Sequence, residues 1–144
     1  MEFPDGVILK FKSVFTSEYL RPTDDSHLSA DEKDPKNPMV RFTLEKARDG
    51  LWRIKCLATN KYWKMKPGNI ILCIIPHGEV DNEDTLFSIE GFGYGRTTTI
   101  RFRHHNLNRY ACIDTTCEKP HYPLRAISEK IDEDSKDVFV YSKF

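Results

Sequence analysis

The turn Lys66-Pro67-Gly68-Asn69-Ile70 joins residue types from which a sugar contact is built. Sugar recognition needs planar donors and acceptors, free backbone amides and often an aromatic face for the apolar side of the ring. Gly68 exposes backbone amides, and the Asn69 carboxamide both donates and accepts. The competing reading of these residues is an ordinary hairpin turn. Gly91-Phe92-Gly93-Tyr94-Gly95 is a second candidate, because alternating glycines present Phe92 and Tyr94 as stacking surfaces. It does not match a dinucleotide fingerprint, since the spacing differs and no helix follows. A glycine-rich connection whose aromatics fold back onto the protein is its competing reading. His104-His105-Asn106 with Asn108 reads as a solvated turn, and Tyr122, between Pro120 and Pro123, as a further exposed aromatic.

Catalytic chemistry is poorly represented. No nucleophile elbow, phosphate loop or metal triad is present. The acidic pairs Asp24-Asp25 and Glu83-Asp84 are adjacent loop residues, and adjacency does not create the geometry of a glycosidase. Cys56, Cys73, Cys112 and Cys117 contain no Cys-x-x-Cys pair, which argues against a zinc or redox site and for free thiols. Oxidation to disulfides outside a reducing compartment is the alternative. The expectation is a protein without catalysis, cofactor or metal.

These residues must be positioned by a repeated framework. Leu9-x-Phe11-Lys12 is followed by Tyr19, Trp52-x-Ile54-Lys55 by Tyr62, and Ile100-x-Phe102-Arg103 by Tyr110, at the same spacing each time. A second element recurs as Phe42-x-Leu44, Phe87-x-Ile89 and Phe139-x-Tyr141. Apolar residues alternate with bases, as in Trp52 and Ile54 against Arg53 and Lys55, which is the period of a strand. Turn signals separate the runs, among them Pro4-Asp5-Gly6, Asp49-Gly50 and Pro67-Gly68-Asn69.

Each repeat reads as four short strands. They fall at Val7–Lys12, Tyr19–Arg21, Leu28–Ala30 and Val40–Glu45; at Trp52–Cys56, Tyr62–Met65, Ile70–Ile75 and Leu86–Glu90; and at Ile100–Arg103, Tyr110–Ile113, Leu124–Ile127 and Val138–Ser142. The acidic run Glu129–Asp137 reads as a solvated loop. Three units of this kind predict an all-β fold, a β-trefoil, in which a six-stranded barrel is capped by three hairpins. Its repeats span about 1–50, 51–98 and 99–144 within one domain over 1–144. The repeated apolar positions, with Trp52 and Trp63 among them, are expected to form the core.

The 144 residues suit a single domain, which buries roughly 70% of its unfolded surface without metal or disulfide. The 22 bases balance 22 acids, which argues against nucleic acid as the main partner. No run approaches the ~20 apolar residues of a membrane span, so no membrane insertion is expected. The start Met1-Glu2-Phe3-Pro4-Asp5-Gly6 lacks a basic and apolar leader, and no Asn-x-Ser/Thr acceptor occurs. Both point to a cytoplasmic location.

Several stretches resemble the agglutinin domain of amaranthin-type plant lectins. They are Ser13 to Tyr19-Leu20-Arg21, Ser29-Ala30-Asp31, Asp34-Pro35, Asp49-Gly50-Leu51 with Ile54-Lys55, Thr59-Asn60-Lys61-Tyr62-Trp63, and Asp134 to Ser135-Lys136-Asp137-Val138-Phe139. They run in the family's order and cover nearly the whole chain. Length and the missing leader look most like the small phloem-exudate lectins of cucurbits. That resemblance implies a β-trefoil without catalysis, a homodimer, and recognition of N-acetylglucosamine oligomers of chitin type. It also implies ligand contacts at the hairpin matching Lys66, Gly68, Asn69 and Ile70. Here Ile70 and Ile71 replace the aromatics that amaranthin carries at that turn. The family does not fix the sugar, because amaranthin takes a galactose–N-acetylgalactosamine disaccharide. A trefoil protease inhibitor presenting Lys66 or Arg96, and a protein-interaction module, are the readings from other classes.

Overall fold

The computed structural model describes residues 2–76, 83–91, 98–117 and 122–144. Its elements are β1 (Ile8–Ser13), β2 (Tyr19–Pro22), β3 (Leu28–Glu32), β4 (Phe42–Arg48), β5 (Leu51–Cys56), β6 (Lys61–Lys66), β7 (Ile70–Pro76), β8 (Phe87–Gly91), β9 (Thr99–His104), β10 (Arg109–Ile113), β11 (Leu124–Ser128) and β12 (Phe139–Lys143). Short 3-10 turns at Pro38–Val40 and Glu83–Thr85 precede β4 and β8. All twelve expected strands are present, with ends that coincide or are displaced by up to three residues. The largest displacement is at β4, where Val40 belongs to the 3-10 turn capped by Asn37, whose side chain accepts from the Met39 amide. The run 129–137 contains no helix.

The fold is all-β with a closed barrel and additional strands. Antiparallel pairing closes the ring β1–β4–β5–β8–β9–β12 and back to β1. The pairings Leu9↔Phe42, Trp52↔Phe87 and Ile100↔Phe139 occupy equivalent places in the three repeats. The other strands form the hairpins β2–β3, β6–β7 and β10–β11. Each hairpin carries a register shift directly after the repeated tyrosine, at Tyr19/Leu20, Tyr62/Trp63 and Tyr110/Ala111. Such a bulge bends the strand, here where it leaves the barrel for the cap.

The turns that lead into these hairpins also repeat. Ser17, Asn60 and Asn108 sit at φ 61, 58 and 56°. Asparagine and serine tolerate this left-handed region better than branched residues do. Four residues upstream of each lies a buried side chain, Ser13, Cys56 or His104. Ser13 Oγ accepts from the amides of Phe15 and Thr16, both at 3.1 Å. His104 Nδ1 accepts from the Leu107 amide at 3.3 Å, and its Nε2 lies 3.1 Å from the Asp84 carbonyl. Nδ1 is therefore the acceptor and Nε2 the donor of a neutral ring, and burial lowers the pKa of His104. The sequence reading of a solvated turn is thus corrected at His104. His105 does stay exposed, 3.8 Å from Glu83.

The core lies inside the ring and under the cap. Trp63, fully buried, makes edge contacts with Phe42, Phe87 and Phe102 at 5.6, 5.9 and 5.1 Å. Its counterparts in the other repeats are Leu20 and Ala111, so one large ring fills space that a leucine and an alanine leave. Trp52 is buried as well and packs on Phe3 at 6.1 Å. Both tryptophans are core, as expected. All four cysteines are free; Cys56, Cys73 and Cys112 are buried and Cys117 is half-buried. Among the described residues, no helix is long and apolar enough to cross a membrane.

Candidate functional site

The turn Lys66–Ile70 lies between β6 and β7 with Pro67 and Gly68 exposed. Gly68 at φ 87° and Asn69 at φ 62° are both left-handed, which explains glycine and asparagine there. The turn is docked on the neighbouring hairpin. Arg125 Nε donates to the Gly68 carbonyl at 3.0 Å, and the Ala126 amide donates to the Asn69 carbonyl at 2.8 Å. Ile70 pairs with Arg125. Arg125 also binds Asp114, N to O 2.7 Å. Both carbonyls are thus committed to joining β7 to β11, while Lys66 and the Asn69 side chain keep partial exposure. Phe92 and Tyr94 lie outside the described residues.

Among the described residues, open clefts of about 370, 320 and 180 Å³ lie elsewhere, the second lined by Arg21, Thr23, Asp24 and Asp25. The first runs between the β10–β11 hairpin and the loop before β12. Thr116, Ser128, Lys130, Ile131, Asp132 and Lys136 are among its lining residues. The loop is tied beneath by Asp137, fully buried, which accepts from Arg101 at 2.8 Å and from Ser128 Oγ at 2.6 Å. None of these lining residues was a candidate from the sequence. The lining comes from two neighbouring stretches, 112–116 and 127–136, and no motif marks either of them.

The cleft of about 180 Å³ lies where the first and third repeats meet. Thr16, Glu18, Ser29, Ala30 and Asp31 come from one side, Ile113 and Tyr122 from the other. Tyr122 is 40% exposed, as its flanking prolines suggested. Asp31 is fixed by Arg21, whose Nε and Nη2 donate to its two oxygens at 2.7 and 3.1 Å. The cleft thus combines an aromatic ring with hydroxyls and carboxylates around an apolar floor. Those are the components of a sugar contact. Among the described residues, no group of three or more His, Cys, Asp or Glu is placed to hold a metal ion.

No protein-family model and no curated protein matches the chain. The agglutinin resemblance therefore has no support at the sequence level beyond its own motifs. Solved structures do match. A designed threefold-symmetric protein, ThreeFoil, is 8% identical with a TM-score of 0.75, over 95% of this chain and 99% of its own. A Caenorhabditis elegans protein of unknown function is 12% identical with a TM-score of 0.70, over 96% and 94%. A Polyporus squamosus lectin, solved with the epitope Neu5Aca2-6Galb1-4GlcNAc, is 7% identical with a TM-score of 0.73. The match covers 99% of this chain and 50% of that lectin. At these identities the likeness is one of fold.

Proposed function

We propose that the protein is a β-trefoil lectin, a carbohydrate-binding protein without catalytic activity, that recognises N-acetylglucosamine oligomers. The observation that carries this reading is the cleft that the exposed Tyr122 lines together with Thr16, Glu18, Ser29 and Asp31. A sugar ring stacks its apolar face on Tyr122 and offers its hydroxyls to the opposite wall. The fold shared with a glycan-bound lectin supports the same class. A shallow cleft of this size suits affinities near ~1 mM, about 4 kcal/mol. Two copies of the site in a homodimer raise avidity without any new contact. Free thiols fit a reducing compartment such as the cytoplasm.

The test is a calorimetric titration with chitotriose, with the galactose–N-acetylgalactosamine disaccharide in parallel. Chitotriose is expected to bind, and Tyr122→Ala to weaken it at least about tenfold with Tm unchanged. Binding of the disaccharide alone would keep the lectin and replace its sugar. Binding of neither would remove the lectin reading.

A further inference from the structure

The three repeats differ at one place on the outside of the barrel. The Tyr62 hydroxyl donates to Glu45 at 2.6 Å, and Lys55 Nζ lies 3.3 Å from the same carboxylate. The Tyr110 hydroxyl donates to Glu90 at 2.7 Å, and Arg103 Nε lies 2.8 Å from it. Strand register identifies the third counterpart. Glu45 pairs with Arg53, Glu90 with Arg101, and Ser142 with Lys10. A serine therefore stands where two repeats have a carboxylate.

The cations remain although the carboxylate is gone. Lys10 and Lys12 Nζ lie 5.8 and 5.9 Å from the Tyr19 ring centre, and Lys10 Nζ lies 5.7 Å from that of Phe144. The Arg41 guanidinium lies 4.3 Å from the Phe144 ring. Arg41 occupies the position held in the other repeats by the buried Leu86 and Val138. Its Nε is buried and has no hydrogen-bond partner. Among the described residues, Lys10, Lys12 and Arg41 form no ion pair. Three like charges gathered over two rings repel one another, and an anion between them relieves that repulsion. A guanidinium supplies a planar fork and the lysines supply movable point charges, a set that suits an oxyanion.

We propose that this seam between the first and last strands binds an anionic group, sulfate or carboxylate, carried on a sugar. The sugar carrier rests on the carbohydrate reading above; the anion does not. Two-dimensional NMR of the full chain at constant ionic strength tests it, because screening alone moves surface signals. The probes are sodium sulfate, N-acetylglucosamine 6-sulfate, glucuronic acid and unsubstituted N-acetylglucosamine. The sulfated sugar and glucuronic acid are expected to shift Tyr19, Ser142 and Phe144, and the unsubstituted sugar to leave them still. Ser142→Glu restores the missing carboxylate and is expected to weaken anion binding by about tenfold or more. Lys12→Gln keeps the register and should weaken it as well.

No shift at the seam with any anion, or undiminished binding in Ser142→Glu, would overturn the proposal. A response to inorganic sulfate without one to the sulfated sugar overturns the sugar carrier. Chitotriose binding at Tyr122 with a silent seam rejects the seam alone. A responsive seam without chitotriose binding supports the seam and rejects the neutral-sugar reading alone.

Discussion

Tyr62 donates its hydroxyl to Glu45 Oε1 at 2.6 Å, joining the hairpin of the second repeat to the last strand of the first. The ring is buried and the carboxylate is half-exposed beside Lys55. Burial raises the tyrosine pKa first, and Glu45 adds to it, so the phenol stays protonated and the bond directional. Tyr62→Phe keeps the ring and removes the bond. The expected loss is about 1.5–3 kcal/mol, the range for a hydrogen bond to a charged group. Urea denaturation measures it. A midpoint equal to wild type would show that Glu45 is served equally well by water.

The repeated tyrosine was legible in the sequence, and so were the strands it joins. The apolar and basic positions recur at fixed spacing, so Leu9, Trp52 and Ile100 mark equivalent strands before any coordinate is known. The role of Glu45 was not legible. It lies 17 residues from Tyr62 and meets it only because the ring closes between repeats. The same holds for the cleft at Tyr122. Its aromatic was visible between two prolines, but Thr16, Glu18 and Asp31 reach it from the other end of the chain. His104 was misread because adjacent histidines suggest solvent, whereas the threefold frame places the first of them at the buried position of Ser13 and Cys56.

Asp137 is a buried carboxylate of the third repeat that ties the loop before β12 to the barrel. It is fully buried, takes one hydrogen bond from Arg101 and one from Ser128, and holds the Asp132 amide at 3.3 Å. Asp137→Ala leaves Arg101, itself only 8% exposed, without its partner. Breaking a buried pair from one side costs about 3–5 kcal/mol. Thermal unfolding should show a large drop in Tm, and the loop 129–136 should become sensitive to protease. A change within error would mean that Arg101 swings out to solvent.

Asp114 contributes stability that acid removes. Burial by itself raises its pKa, but the Thr116 and Arg125 hydrogen bonds outweigh that and hold it at about 2, against 3.8 for the free group. A depressed pKa stabilises the fold above the unfolded value and is lost as pH falls through the folded one. The contribution, about 2 kcal/mol, is expected in full above pH ~5 and should fade down to pH ~2. Asp114→Asn should lower Tm at pH 7 and flatten its slope across that window. A variant with the wild-type slope would assign the acid sensitivity to other carboxylates.

His104 acts in the same direction at higher pH. Its pKa is lowered, because burial penalises the charged ring. Protonation at Nδ1 would also break the hydrogen bond from the Leu107 amide. The unfolded chain therefore binds the proton more readily, and stability falls as pH drops below the ordinary histidine range near ~6.5. His104→Gln keeps a polar group and removes the titration. Its Tm should depend less on pH between about 6.5 and 5 than that of wild type. Equal slopes would show that His104 does not carry the pH dependence in this window.

The turn at Gly68 and Asn69 separates a structural from a binding role. Gly68 sits at φ 87°, and a Cβ there would meet nothing within 4 Å. Gly68→Ala therefore pays only for backbone strain, about 1–2 kcal/mol. It should lower Tm modestly while Arg125 and Ala126 keep their carbonyl partners. Asn69→Gly removes the side chain and keeps the left-handed backbone, so Tm should change little. If Tyr122 carries sugar binding, Asn69→Gly leaves chitotriose affinity within about twofold, a difference of ~0.4 kcal/mol. A loss of about tenfold at unchanged Tm would move the binding site to the β6–β7 turn, where Lys66 and Ile70 flank the same amide.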